Sequence, residues 1–219
     1  MKDVDHAALT LSAGLAAVAG FVDAIGFLDT GGLFVSFMSG NSTQGAVDLL
    51  DGGPRVALVS AGIISAFVLG VTGGAVIGAR LPHPRTWAIT GAAAAVGVAA
   101  LLALGGEETL WRAGLLAAAM GALNTLFLAE GRARVAITYA TGTLVSLGLA
   151  LASLVTGGSR TAWRRPLLLW GSLAGGAVVG GLVHRLGTPL ALGIAALMLA
   201  GIAIVAAAGG RRRRISPRR

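Results

Sequence analysis

The chain has 219 residues, 55% of them hydrophobic and only 12% charged, against roughly 25% charged in an average soluble domain. With a mean hydropathy of +0.83, it cannot coat a water-facing surface and reads as an integral membrane protein. The absence of Cys excludes disulfides, thiolate metal sites and a cysteine nucleophile.

Charges and Gly/Pro punctuation divide the chain into eight apolar segments. The first runs from Ala8 to Leu28 after "MKDVDH". Its length and the acidic start do not fit a cleaved signal peptide. It carries Asp23, an ionisable group at membrane depth, which is costly and usually functional, often as a proton relay. Asp29 and Glu130 read as ordinary interface charges.

The second segment, Leu33 to Leu50, is the polar one and contains "FVSFMSGNSTQG". Asp48, at its far end, is expected to face water beside Asp51. The third runs from Val56 to Ala79 and ends at "RLPHPR"; the fourth, Trp87 to Leu104, ends at "GGEE". The fifth, Leu110 to Ala129, ends at "EGRAR", and the sixth spans Val135 to Val155. The seventh, Leu167 to Val183, follows "SRTAWRRP", and the eighth spans Leu190 to Ala208. Trp87, Trp111, Trp163 and Trp170 flank segment ends and read as interfacial anchors. The net charge of +8 gathers in the tail "RRRRISPRR". After an apolar segment, that tail reads as a positive-inside anchor rather than a nucleic-acid arm.

The two halves repeat. "GFVDA" (20–24) matches "GALNT" (121–125), and "FVSFMSGN" (34–41) matches "AITYATGT" (136–143). "GGAVIG" (73–78) matches "GGAVVG" (175–180), and Gly91 falls opposite Gly193. The first block is one residue short of the common spacing of the other three, which a single insertion in "EGRAR" explains. The chain thus divides into a first membrane repeat (1–104), a second (105–209) and a basic cytoplasmic tail (210–219). Internal repeats are typical of secondary transporters, and the 35 Gly permit close approach of membrane helices.

The second and sixth segments share a shape. Each opens with β-branched and aromatic residues, then carries Ser39-Gly40 or Thr141-Gly142, then an apolar helical run. Ser and Thr are good N-caps, and the residues before them suit extended backbone. The expectation is a discontinuous strand-plus-half-helix element in each repeat, the half-helix starting within the membrane with its dipole aimed at a buried site. The candidate substrate-binding residues are Asp23, Ser36, Ser39, Gly40 and Asn41 in the first repeat, with Asn124, Thr138, Thr141, Gly142 and Thr143 in the second. No cofactor or metal is expected, because His6, His83 and His184 lie far apart near segment ends.

The fold class is therefore an all-α polytopic membrane protein of two tandem repeats with six to eight membrane segments. If all eight cross, the repeats are parallel. If segments two and six re-enter, the repeats are inverted, and only Arg55, Arg112 and Arg185 lie on the side away from the termini. The Lys/Arg bias favours the second arrangement, and the length of the sixth segment favours the first. Both place the termini in the cytoplasm.

"AGFVDAIGFL", "FVSFMSGN", "MGALNT" and "ITYATGTLVSLG" together resemble the YoaK-like family of uncharacterised bacterial inner-membrane proteins, with its early G-x-x-D-A, its TGN and its later T-x-x-x-TG-T-L. Ser39 stands where that family has Thr. Asn124 matches the Asn of its G-x-Q-N motif, but Ala122 and Leu123 depart from it. The resemblance implies a multi-pass protein of the bacterial inner membrane and supplies no substrate. The strand-plus-half-helix shape is also similar to that of sulfate permeases and nucleobase transporters, an analogy that does not fix function.

The expected function is a small secondary transporter, proton-coupled, with its site between the repeats. The partners are the lipid bilayer and a small solute, anionic or carbonyl-bearing, with no nucleic acid; a homo-oligomer is compatible. No Lys or Arg is expected within the membrane to pair with the solute. A passive channel of the same architecture is the alternative, followed by a membrane enzyme and then by a non-transporting structural or partner-binding protein. No catalytic cluster points to an enzyme.

Overall fold

Proline marks the start of half of the described helices. The computed structural model describes residues 6–51, 54–106, 109–126, 128–129, 132–133 and 138–215. Among them it forms α1 (His6–Thr30), α2 (Met38–Leu50), α3 (Pro54–Arg80), α4 (Pro84–Leu104), α5 (Thr109–Leu123), α6 (Ala140–Val155), α7 (Arg164–His184) and α8 (Thr188–Ile215). Pro stands in the first turn of α3, α4, α7 and α8. There its missing N–H is an orphan in any case, and its fixed φ suits the helix. Gly31, with φ 73°, supplies the left-handed turn at the end of α1. The only strand pairing among the described residues is a two-residue antiparallel ladder, Leu128–Ala129 with Arg132–Ala133.

Helices α1, α3, α4, α7 and α8 are long and apolar enough to cross a membrane, while α5 and α6 are shorter apolar helices. The 13 residues of α2, at about 1.5 Å each, cover only about 20 Å, well short of the roughly 30 Å hydrocarbon core. The fifth segment is shorter than its apolar run suggested. Helix α5 stops at Leu123 and residues 124–126 turn; the Asn124 side-chain amide donates to the Met120 carbonyl and to the Thr138 hydroxyl. Helix α8 runs on into the basic tail as far as Ile215. Residues 216–219 of the tail, Glu130, most of "EGRAR" and residues 136–137 of the second extended segment lie outside the described residues.

The core lies along α1 and α5. Leu15, Val18, Phe21, Val22 and Ile25 of α1 pack with Leu116, Met120 and Leu123 of α5, joined by Ile89 and Val96 of α4 and by Leu192 and Leu199 of α8. Helices α3 and α7 flank this centre and turn Leu58, Val68, Leu69, Val178, Val179 and Leu182 outward, as lipid-facing surfaces do.

Close contacts give the helix directions. A Cβ on Gly176 of α7 would strike the Ala17 carbonyl of α1, and one on Gly180 would strike the backbone of Phe21. Both indices rise together, so α1 and α7 run parallel. Gly70 of α3 meets Ala118 of α5, and Gly74 meets Ala122 and Thr125, so α3 and α5 also run parallel. Asp29, at the end of α1, bonds Arg112 at the start of α5 and Thr188 at the start of α8. Gly14 of α1 lies against Ile202 of α8. Helix α1 is therefore antiparallel to both α5 and α8, and the first and last helices return to one end of the bundle.

The same contacts place α2. Val35 and Ser36, just ahead of it, reach back to Asp23, within α1. Its own Gln44 and Asp48 share a cavity with Asp29 and Thr109 at the opposite end of the bundle from the termini. The chain therefore dips beside α1 and climbs back to the end it left. The matching "GGAVIG" and "GGAVVG" do not occupy equivalent positions. Gly73 and Gly175 face open space, and the contact made by Gly74 is paralleled by that of Gly180, one helical turn further on than the sequence match implies.

Candidate functional site

Residues 31–37 leave the helix, and Leu33, Val35 and Ser36 among them are buried, so their backbone polar groups need partners within the protein. Asp23 supplies two. Its Oδ1 accepts the N–H groups of Val35 and Ser36, both at 2.8 Å. Asn41 closes the other side of the excursion. Its Oδ1 accepts the Phe34 N–H at 2.8 Å, and its Nδ2 donates to the Phe34 carbonyl at 2.6 Å. Asn41 is fully buried and Ser36 nearly so. Thr30 ends α1 by accepting from the Leu33 N–H at 2.9 Å.

The second half contains a similar fastening. Asn124 Oδ1 accepts the Thr138 N–H at 3.4 Å, and Asn124 Nδ2 lies 3.1 Å from the Thr138 hydroxyl. Helix α6 then begins two residues later, as α2 begins two residues after Ser36. In both places an aromatic residue, Phe37 or Tyr139, occupies the N-cap position, and no side chain caps the helix.

This corrects the capping expected of Ser39 and Thr141. The helices start at Met38 and Ala140, and both hydroxyl residues are exposed within the first turn. The glycine after each has a different reason to be there. A Cβ on Gly40 would meet the Phe37 ring, and a Cβ on Gly142 would meet the Tyr139 ring. Among the described residues the extended stretches form no strand ladder; side chains satisfy the backbone N–H groups of Phe34, Val35, Ser36 and Thr138. Ser42 and Thr43 donate back to the carbonyls of Met38 and Ser39, and Thr143 donates to that of Tyr139.

Above the first excursion lies a cavity of about 750 Å³. Of the ten candidate residues only Gly40 lines it. Asp23, Ser36, Asn41, Asn124 and Thr138 act as fasteners of the two excursions, and Ser39, Thr141, Gly142 and Thr143 lie on the first turns of α2 and α6. The cavity instead draws Asp48 and Gln44 from α2, Arg55, Val56 and Val59 from α3, and Phe27 and Phe34 from either side of the α1 end. Gln44 and Asp48 stand four residues apart on one face of α2 and are bonded at 3.0 Å.

Asp29 is not an ordinary interface charge. Its Oδ1 accepts from the Thr188 hydroxyl at 2.7 Å and pairs with His184 Nε2 at 2.8 Å, while Oδ2 lies 3.4 Å from Arg112 Nη2. The Asp29 and Arg112 side chains are each 11% exposed. One carboxylate thus ties together the ends of α1 and α7 and the starts of α5 and α8. The one available signal was that a carboxylate, a guanidinium and an imidazole each sit at a segment end facing the same side under the inverted arrangement.

Residues 11–205 match the family described as Protein of unknown function (DUF1275), a span that includes every motif of the sequence resemblance. The chain is also similar to a UPF0700 transmembrane protein of Rhizobium meliloti (strain 1021), with 35% identity over 202 residues, 89% of this chain and 85% of that protein. No solved structure matches.

Proposed function

The chain belongs to the DUF1275 family and is a multi-pass membrane protein, and on that footing we propose that it is a small secondary transporter of the bacterial inner membrane. It carries a small solute between two inverted repeats, with protons as the coupling ion. The carrying observation is the pair of fastened excursions, Asp23 with Val35 and Ser36, and Asn124 with Thr138, borne on helices that run in opposite directions. Irregular backbone at membrane depth is tolerated where protein buries it or where it lines a water-filled cavity, and transporters of inverted repeats build their sites at such breaks.

The helix pairings support the repeat. Parallel α1 and α7 answer parallel α3 and α5, so each half lends its first helix to the third long element of the other. With α2 and α6 re-entrant, Arg80, Arg85, Arg160, Arg164, Arg165 and the Arg-rich tail share the end that holds the termini. Among the described residues only Arg55, Arg112 and Arg185 lie at the other, a bias that supports a cytoplasmic terminal end. Asp23 is the ionisable side chain furthest from any helix end among the described residues. Its counterpart Asn124 does not titrate, leaving one proton site per chain.

The test is flux in proteoliposomes loaded with a pH-sensitive dye and challenged with pools of small solutes, with and without an imposed pH gradient. Gradient-driven accumulation is expected in the parent. Asp23→Asn is expected to insert normally, keep downhill exchange and lose accumulation. Flux indifferent to the gradient identifies a passive facilitator, and no flux from any pool by correctly inserted protein refutes transport.

A further inference from the structure

The cavity at the end opposite the termini is bounded by three kinds of wall. Two charged side chains belong to the hairpin of α2 and α3: Asp48 near the end of one helix and Arg55 at the start of the other. Among the described residues Arg55 makes no ion pair, and Asp48 holds only the Gln44 amide. They line one cavity without bridging to each other. Asp29, the remaining charged residue of the lining, is already committed to Arg112, His184 and Thr188. The third wall is apolar. Phe27 and Phe34 lie with ring centroids 4.8 Å apart, and Val59 stands in the same lining.

We infer that this cavity binds a small zwitterion with an apolar body, its carboxylate on Arg55, its ammonium on Asp48 and its side chain against Phe27 and Phe34. Binding stands on the cavity alone, and only the passage of the bound solute across the membrane rests on the transport reading. A solute bearing a carboxylate alone would approach Asp48 unfavourably, and one bearing an ammonium alone would leave the same conflict at Arg55. A zwitterion satisfies both and offers the aromatic pair something to bury. The cavity volume of about 750 Å³ lies within the range of small-molecule sites, about 300–1,000 Å³, and admits a free amino acid or a dipeptide of the same charge pattern.

The experiment is equilibrium binding to the purified full-length protein, using labelled L-leucine and L-phenylalanine. Competitors are the dipeptide Leu-Leu, the N-acetyl amino acids, which keep only the carboxylate, and the methyl esters, which keep only the ammonium. The zwitterions are expected to bind and the single-charge analogues to compete at least roughly tenfold more weakly, since each loses one charge-assisted contact. The leucine and dipeptide arms separate the two sources of this chemistry. Arg55 is exposed and Asp48 half-exposed, so both variants should fold, which their melting temperatures will report. Arg55→Gln is expected to weaken zwitterions about tenfold or more while sparing methyl esters, and Asp48→Asn to weaken them similarly while sparing N-acetyl amino acids. N-acetyl amino acids competing as well as zwitterions would overturn the inference, as would the absence of binding by every probe, or folded variants with unchanged selectivity. Selective binding without uptake in proteoliposomes would uphold the site and refute transport.

Discussion

Substituting Gly176 by Ala adds one carbon at the tightest kind of contact in this bundle. The new Cβ would collide with the carbonyl and Cα of Ala17 on α1. Neither atom is the end of a flexible side chain, so the helices themselves must part. Its neighbour Gly175 meets nothing within 4 Å, which makes Gly175→Ala an internal control. Each substitution gains about 1 kcal/mol of helix propensity. Only Gly176→Ala adds the cost of overpacking, typically about 1–3 kcal/mol, so that figure is the expected gap between the two variants. At roughly 2–4 °C per kcal/mol for a chain of this size, the gap is about 2–12 °C. Thermal unfolding of both in one detergent, tracked by Trp fluorescence, measures it. Melting temperatures agreeing to about one degree would refute the reasoning, because they would mean that α1 and α7 do not approach through Gly176.

Asp23→Ala leaves the Val35 and Ser36 N–H groups without their acceptor and should cost about 1–3 kcal/mol for each unpaired group. Asp23→Asn can still accept both, as Asn124 does from Thr138, so a comparison of melting temperatures should separate Ala from Asn. Asp29→Ala takes the carboxylate away from Arg112 and His184 at a largely buried junction and should destabilise by up to about 3–5 kcal/mol. A double-mutant cycle with Arg112→Ala should show a coupling clearly different from zero. Asn41→Ala removes both bonds to Phe34, and hydrogen exchange at residues 33–37 should accelerate there with little change in α4 or α8.

The membrane class and the limits of α1, α3, α4 and α7 were legible because they come from local signals, apolar runs and Gly/Pro punctuation; the starts of α2 and α6 and the ends of α5 and α8 were not. The polar cluster at 36–44 was legible as an interruption but not in its detail. The N-cap position went to Phe37 because its ring packs over Gly40, a preference that hydroxyl capping rules do not contain. The Asp29 junction joins residues 83 and 159 positions away, and nothing local distinguishes such a carboxylate from one at an ordinary interface. The glycine correspondence slipped by a turn because an α-helix repeats its face every three to four residues. Two Gly-Gly pairs can therefore align in sequence, each with its second member in contact, while meeting their partner helices one turn apart. Arg55 and Asp48 became cavity residues only once α2 was seen to climb back to the end that α1 reaches.

Helices α1 and α5 lead the two halves, and they run antiparallel. On the proposed duplication, a single ancestral unit would have had to insert into the bilayer both ways up, since each half of the present chain preserves one of the two orientations. Such a unit could carry little Lys/Arg bias of its own. The strong asymmetry of this chain, with arginines crowding the loops and tail at one end, would then be a later acquisition that froze what had been a mixed population of orientations. Moving charge out of that tail and loops and into the Arg55 and Arg185 turns should recover both orientations from one sequence.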